Sequence, residues 1–141
     1  MRASGPAGIA APANGEPDDH CACLHRTSLD GFIARPDGSI DWLVPFGEGD
    51  DDLGYGEFMS DKGAIVMGRY TFETVLGFDN WPYTMPVIVM SRTLGPPPDA
   101  VSDKIEVTDK SLADLMAMLK DRGIDKVYVD GGQILQAFMR E

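Results

Sequence analysis

Three short stretches of the chain pair a strand-like apolar run with residues that bind anions. In the first, the run from Ala64 to Met67 leads into Gly68, Arg69 and Thr71. Apolar, β-branched residues predict a buried strand, and the helical spacing of the apolar residues that follow predicts a helix after the glycine. A helix start offers unpaired N–H groups and a positive dipole end, and arginine can bind phosphate through two hydrogen bonds. The pattern predicts an anion site, although an ordinary turn with a solvated arginine would have the same pattern.

Two later strand ends repeat this combination of residue types. A second apolar run ends in Ser91 and Arg92, and a third opens into Gly131 and Gly132 at the start of a predicted helix. If the three strands are parallel, their carboxyl ends lie along one edge of the sheet, where ligands of open α/β sheets collect. Three such junctions in one short chain predict a site for a phosphate-rich cofactor.

The charge of the chain restricts which partners it can have. The 141 residues carry a net charge of −11, and a field of this sign repels nucleic acids and anionic membranes. Neither is expected as a partner, and an anionic ligand must be held where a few cations are concentrated. No apolar run approaches the ~20 residues that span a bilayer, and we expect a cytoplasmic protein.

The segment that contains both cysteines raises the question of a metal site. Alternation along a predicted strand over residues 20–26 would place Cys21, Cys23 and His25 on one face, and thiolate and imidazole groups bind zinc. The chain has two cysteines and two histidines in total, so a fourth ligand would have to be acidic. We therefore predict no metal site and interpret the cysteines as small core residues.

The rest of the chain divides into an unfolded start and one domain. Residues 1–19 are mostly Ala, Gly, Pro and acidic residues, which predict a disordered tail, and residues 20–141 form the predicted domain. Further elements predicted by the apolar patterns are a helix over residues 53–61, a strand over residues 105–107, and a helix that begins at Ser111, has Asp114 in the capping-box position and ends at Gly123.

Four ordered motifs resemble the signatures of one superfamily. They cover residues 28–34, 67–73, 91–92 and 130–132, and read Ser-Leu-Asp-Gly-Phe-Ile-Ala, Met-Gly-Arg-Tyr-Thr-Phe-Glu, Ser-Arg and Asp-Gly-Gly. In this order they resemble the dihydrofolate-reductase-like superfamily. The most similar branch contains the riboflavin-biosynthesis reductase domain, found in bacteria as the C-terminal domain of a deaminase-reductase or as a free-standing protein. The resemblance extends from Cys21 to the end of the chain.

The resemblance implies an α/β fold with three αβα layers around a mostly parallel sheet, and NADPH extended across the strand ends. The positions implied to bind the cofactor are Gly68, Arg69 and Thr71 at its phosphates, Ser91 and Arg92 at the adenosine end with its 2′-phosphate, Gly131, Gly132 and Gln133 at the pyrophosphate, and Gly31 near the nicotinamide. Asp30 is the candidate catalytic residue, which would orient the substrate or relay a proton, although its pattern also suits a turn. Trp42, Tyr55 and Phe58 are candidates for an aromatic wall against the substrate, or for core packing.

The function implied by the resemblance is hydride transfer from NADPH to a small heterocyclic substrate of the pyrimidine or pteridine type. The alternative is a non-catalytic nucleotide-binding module or a degenerate fragment of such a domain. The chain departs from the family pattern at His25 and Arg26, where relatives commonly carry apolar or small residues, and at Glu141, beyond which relatives continue with further strands. We expect either a C-terminally incomplete domain, lacking the last strands, or a homodimer that covers the open edge.

Overall fold

A parallel sheet forms the centre of the structure, a computed structural model that describes residues 20–25, 29–30, 33–39, 41, 52 and 54–140. Its strands are β1 (His20–Ala22), β2 (Ala64–Gly68), β3 (Val87–Met90), β4 (Ile105–Thr108) and β5 (Lys126–Asp130). They are arranged in the order β1-β5-β2-β3-β4, and each pair of neighbours runs parallel. The predicted tail, residues 1–19, lies outside the described residues.

Within the described residues, four α-helices cover the sheet, and a 3-10 helix (Asp99–Val101) lies between β3 and β4. The α-helices are α1 (Tyr55–Met59), α2 (Arg69–Leu76), α3 (Leu112–Asp121) and α4 (Gly132–Phe138). Helix α3 begins where the sequence predicts, because Ser111 Oγ accepts a hydrogen bond from the backbone N–H of Asp114 at 3.2 Å. The Ser111 hydroxyl also donates to the Asp114 carboxylate at 2.7 Å. Such a cap stabilises a helix by about 1 kcal/mol.

The two faces of the sheet are both buried, which explains the uninterrupted apolar sequence of β2. Ala64 and Val66 belong to a core cluster with Leu115 and Leu119 of α3, against which the apolar side of α4 also packs. Ile65, on the opposite face, belongs to a second cluster to which α2 contributes Phe72 and α1 contributes Phe58. Strands covered on both faces lose the polar alternation of a half-exposed sheet. The predicted three-layer α/β fold is confirmed.

The structure differs from the sequence prediction at two elements near the start of the domain. Strand β1 is shorter than residues 20–26, and both Cys21 and Cys23 are exposed. The prediction that they are core residues is wrong, because β1 pairs only with β5 among the described residues and so lies at an edge. The helix predicted over residues 53–61 spans only Tyr55–Met59, since it begins after Gly54, which has a left-handed backbone with φ of +82°.

Candidate functional site

The three strand ends singled out by the sequence lie side by side. Strand β2 is central, with Met67 in register with Asp130 of β5 on one side and Gly68 in register with Met90 of β3 on the other. The segments that leave these strands therefore emerge from the same edge of the sheet. We call the end of the sheet where the strands finish the carboxyl edge, and the end where the strands begin the amino edge.

A cleft of about 790 Å³ opens at the carboxyl edge. Its walls are the turn over residues 33–38, the start of α2 and the start of α4. It contains six of the residues predicted to bind a cofactor, which are Gly68, Arg69, Thr71, Gly131, Gly132 and Gln133. We call it the outer cleft. It adjoins a second cavity of about 350 Å³, the inner chamber, with which it shares Thr71, Gly131 and Gly132.

Arg69 is the half-buried cation of the outer cleft. Its Nε lies 3.7 Å from Glu73 Oε1, one helical turn along α2, and its Nη1 donates to Thr93 Oγ1 at 3.4 Å. The guanidinium carbon also lies 4.8 Å from the centre of the Tyr70 ring. These contacts are long and come from several directions, so they orient the guanidinium without using its full hydrogen-bonding capacity. The contact with Thr93 also connects α2 to the loop that follows β3.

The glycines at the start of α4 allow two side chains to approach the backbone closely. Gly131 has φ of +103°, and a Cβ built on it would lie 2.4 Å from Thr71 Oγ1. A Cβ on Gly132 would lie 2.8 Å from Ile33 Cδ1. Both distances are too short for a real contact, so a side chain at either position would displace its neighbour. Glycine here therefore lets α2 and the turn over residues 33–38 close around the cleft.

The inner chamber is lined partly by a carboxylate and two phenols, the buried Tyr128 and the half-buried Tyr83. The Tyr83 hydroxyl donates to Asp130 Oδ2 at 3.2 Å, and the Tyr128 hydroxyl donates to the Leu24 carbonyl oxygen at 3.4 Å. Burial, and after it the charge of Asp130, raises the pKa of Tyr83 and of Tyr128 far above the usual tyrosine value. Both phenols therefore remain protonated near neutral pH and act as hydrogen-bond donors.

His25 adds a polar atom to the same chamber. It lines the cavity, and its Nε2 is buried without a hydrogen-bond partner among the residues that the structure describes. A buried nitrogen of this kind calls for an explanation, and a ligand group in the chamber would satisfy it. The sequence alone marks His25 as a possible metal ligand beside the cysteines and as a departure from the family pattern, and does not predict its place in this chamber.

The other predicted site residues lie outside these two cavities or outside the described residues. Ser91 Oγ accepts hydrogen bonds from the backbone N–H groups of Thr93 and Leu94, at 3.2 and 3.0 Å, and so shapes the loop after β3. Arg92 is exposed in that loop, and Asp30 is exposed on the segment before the turn. Neither residue is among the described residues that line the cavities.

The predicted aromatic wall packs behind the inner chamber. Tyr55 and Phe58 meet the ring of Tyr128 edge to face, with ring centres 6.4 and 5.4 Å apart. Tyr128 itself lines the chamber, so the two residues of α1 support a lining side chain. Trp42 and Gly31 lie outside the described residues.

Sequence reasoning missed several residues of these cavities, among them Arg35, Tyr83 and Tyr128. Arg35 belongs to a turn whose sequence signal is its proline and glycine alone. Tyr83 comes from the irregular segment between α2 and β3, where no periodicity indicates which side chains point to the sheet edge. The one available signal was at Tyr128, a large polar-tipped residue within an otherwise apolar strand.

The described residues also bear on two other classes of function. Nowhere in them do three or more His, Cys, Asp or Glu side chains come together in a way that could hold a metal ion. Within the same residues, no helix has both the length and the apolar character that crossing a membrane requires.

The fold and the arrangement of motifs at the carboxyl edge define a riboflavin-biosynthesis reductase-like domain of the dihydrofolate-reductase-like superfamily. The chain belongs to the RibD C-terminal domain family, whose model matches residues 22–141. It is 32% identical over 116 residues to the uncharacterised protein YwjB of Bacillus subtilis strain 168, and the match covers 81% of this chain. The matched region spans 65% of the length of YwjB.

Two solved structures share the fold. A protein from Shewanella sp. PV-4, whose name links it to riboflavin biosynthesis, is 37% identical with a TM-score of 0.77 over 84% of this chain and 68% of its own. The diaminohydroxyphosphoribosylaminopyrimidine deaminase/5-amino-6-(5-phosphoribosylamino)uracil reductase of Thermotoga maritima is 21% identical, with a TM-score of 0.55 over 82% of this chain and 39% of its own. At that identity, the second likeness concerns the fold alone.

Proposed function

We propose that this chain is an NADPH-dependent reductase domain that acts on a small heterocyclic substrate of the pyrimidine or pteridine type. The observation that carries the proposal is the outer cleft, which is lined by six residues from the starts of α2 and α4, among them the half-buried Arg69. Membership in the RibD C-terminal domain family supports the same reaction class. The name of the Shewanella relative supports a link to riboflavin biosynthesis.

The cleft suits a dinucleotide in size and in chemistry. Its volume of about 790 Å³ lies within the range of roughly 300–1,000 Å³ that small-molecule and cofactor sites occupy. Arg69 offers charged N–H donors for phosphate, and the Thr71 hydroxyl lies beside the backbone of Gly131. In a protein of net charge −11, a local cation at the strand ends is what a polyanionic ligand needs.

In this proposal the chain binds and orients, while NADPH supplies the hydride. Arg69 and Thr71 would hold phosphate in the outer cleft. The phenols of Tyr83 and Tyr128 would present hydrogen-bond donors in the inner chamber and so help to orient the substrate. The role of Asp30 as the residue that orients the substrate or relays a proton remains part of the proposal, as do the roles of Ser91 and Arg92 at the adenosine end.

A titration of the protein with NADPH, followed by the fluorescence of the reduced nicotinamide, tests the proposal. We expect Arg69→Ala to weaken binding roughly tenfold or more, because it removes charged hydrogen bonds to phosphate. The matched control is Arg140→Ala, which removes the same charge from an exposed residue beyond α4. In a further arm, Arg92→Ala should reduce the preference for NADPH over NADH.

The outcomes separate the proposal from its alternative. If wild-type protein does not bind NADPH, or if Arg69→Ala binds as well as Arg140→Ala, the cofactor proposal is wrong. If NADPH binds but none of a panel of pyrimidine and pteridine substrates causes its oxidation, the non-catalytic nucleotide-binding function is favoured.

A further inference from the structure

We infer that Arg35 is a second phosphate-binding residue of the outer cleft, acting on the dinucleotide from the wall opposite the strand ends. The inference rests on the proposed function and assigns a role to a residue that the motifs do not include. The resulting site would hold phosphate between two guanidinium groups, Arg35 on the turn and Arg69 on α2.

The backbone of the turn is fixed by its own hydrogen bonds. The N–H of Arg35 donates to the Ser39 carbonyl at 3.0 Å, and the Arg35 carbonyl accepts from the Gly38 N–H at 2.8 Å. Gly38 has φ of +83°, which a glycine adopts without strain, and the Asp37 carboxylate accepts from the Ser39 N–H at 2.9 Å. Arg35 therefore projects from a well-defined support.

The turn is also held against the sheet edge. Ile33, two residues before Arg35, approaches α4 so closely that a Cβ on Gly132 would lie 2.8 Å from Ile33 Cδ1. This packing brings the turn over the start of α4 and makes Arg35 a lining residue of the outer cleft. Arg35 reaches the cleft through tertiary packing, which explains why no sequence motif contains it.

Within the described residues, the Arg35 side chain is oriented by one hydrogen bond, which does not involve its Nη groups. Its Nε donates to Asp41 Oδ1 at 2.7 Å, and within the described residues its Nη groups make no hydrogen bond. The side chain is 52% exposed. Arg122 shows the opposite arrangement, because its Nη1 and Nη2 both donate to Glu106, at 2.7 and 3.2 Å. A carboxylate occupies both Nη donors of Arg122. Arg35 lines the cleft, and none of the described residues occupies its Nη donors.

The acidic side chains of the cleft do not cancel this role. Asp37 and Glu73 also line the cleft. Asp37 is engaged by the N–H of Ser39, and Glu73 lies 3.7 Å from Arg69. Both carboxylates are thus held on their own elements, where they restrain the segments that carry the two arginines.

The test compares three ligands, NADPH, NADH and ADP-ribose. All three contain a pyrophosphate, and only NADPH contains a 2′-phosphate. Dissociation constants are measured for wild type, Arg35→Ala, Arg35→Lys and the charge-matched control Arg140→Ala. We expect Arg35→Ala to weaken NADPH binding about tenfold and Arg140→Ala to change it by less than about twofold. Arg35→Lys should lie between wild type and Arg35→Ala, because lysine keeps the charge but lacks the planar pair of donors.

The pattern across the ligands identifies the phosphate and decides the inference. An equal loss for all three ligands assigns Arg35 to the pyrophosphate, and a loss for NADPH alone assigns it to the 2′-phosphate. Either result supports the inference. Unchanged affinity for all three in Arg35→Ala, while Arg69→Ala binds weakly, overturns the inference and leaves the proposed function intact. Wild-type protein that binds none of the three overturns both.

Discussion

The two edges of the sheet hold their charged side chains in different ways. At the amino edge, charges pair with each other at short range, as in the two-point contact between Arg122 and Glu106 and the 2.8 Å bond from Lys126 to Asp61. The cavity on that side, beside Arg122 and Glu106, is small, about 250 Å³. The charges there hold α3 and the strand starts together and leave little to offer a ligand.

At the carboxyl edge, the arginines are restrained without being fully paired. Arg35 and Arg69 are each approached at Nε by a carboxylate, at 2.7 and 3.7 Å, beside a cleft of about 790 Å³. Exposed ion pairs add little to stability in either place, typically about 0–1 kcal/mol. The number of charges at an edge therefore does not distinguish a ligand site from a structural contact, whereas the side-chain atoms that are left unpaired do.

Gly131→Ala at the carboxyl edge is expected to have the largest effect on both stability and ligand binding. The new Cβ would meet Thr71 Oγ1 at 2.4 Å on a backbone with φ of +103°. We expect a loss of roughly 3 kcal/mol in the free energy of unfolding, equivalent to a fall of about 10 °C in Tm. The variant should also weaken NADPH binding, because the Thr71 hydroxyl would have to move from its place in the cleft. Thermal unfolding and the NADPH titration measure the two effects.

Two other glycines serve as controls for Gly131→Ala. Gly123, after α3, has φ of +74° but no atom within 4 Å of the position that a Cβ would take. Gly123→Ala therefore measures the cost of a positive φ without a steric contact, about 1 kcal/mol. Gly95→Ala has neither strain nor contact and should be near neutral. If Gly131→Ala were no less stable than Gly123→Ala, the close approach of Thr71 would not be the reason for glycine at 131.

Much of the fold follows from local sequence because its strands are continuous apolar runs. Strand β5 has the predicted bounds, and the cap of α3 by Ser111 is as predicted. The start of the domain was predicted less well, since the extent of β1 depends on pairing with β5, far along the chain at residues 126–130. No local periodicity contains that information.

The residues of the candidate site also differ in whether local sequence predicts them. Gly68, Arg69 and Gly131 could be brought together from sequence, because parallel strands place their carboxyl ends at one edge. Arg35 and Tyr83 could not, because they come from a turn and an irregular segment whose positions are set by packing against distant residues. Residues of this second kind are found only when the tertiary contacts are known.

A smaller loss of stability is expected from Tyr83→Phe, a variant that tests the inner chamber. The variant removes the 3.2 Å hydrogen bond to Asp130 and should lower the free energy of unfolding by about 1 kcal/mol at neutral pH. Burial raises the pKa of Tyr83 in the folded protein. The protonated phenol therefore stabilises the fold at any pH below the pKa of an unfolded tyrosine, about 10. This contribution is lost as the pH rises above that value. Tm measured from about pH 7 to about pH 11 should therefore fall less steeply in Tyr83→Phe than in wild type.

Tyr55 and Tyr128 also contribute to the fall of Tm at alkaline pH, so Tyr83→Phe cannot remove all of it. The pKa values of both are also raised by burial, so the Tyr83→Phe profile should be shallower without becoming flat. Identical alkaline profiles for wild type and variant would show that Tyr83 ionises as freely in the folded chain as in the unfolded one, and would contradict its burial in the chamber.

Asp61→Asn at the amino edge is expected to have the smallest effect on NADPH affinity at neutral pH. Hydrogen bonds from Lys126 and Lys62 lower the pKa of Asp61 to about 2, so the ionised carboxylate contributes stability above the unfolded value of about 4, and that contribution is lost as the pH falls towards about 2. The fall of Tm between about pH 4 and about pH 2 should therefore be shallower in Asp61→Asn, whereas the affinity for NADPH at neutral pH should match wild type. If Asp61→Asn weakened NADPH binding as strongly as Arg69→Ala, a charge at the strand starts would control a site at the strand ends. The division into a structural edge and a ligand-binding edge would then be wrong.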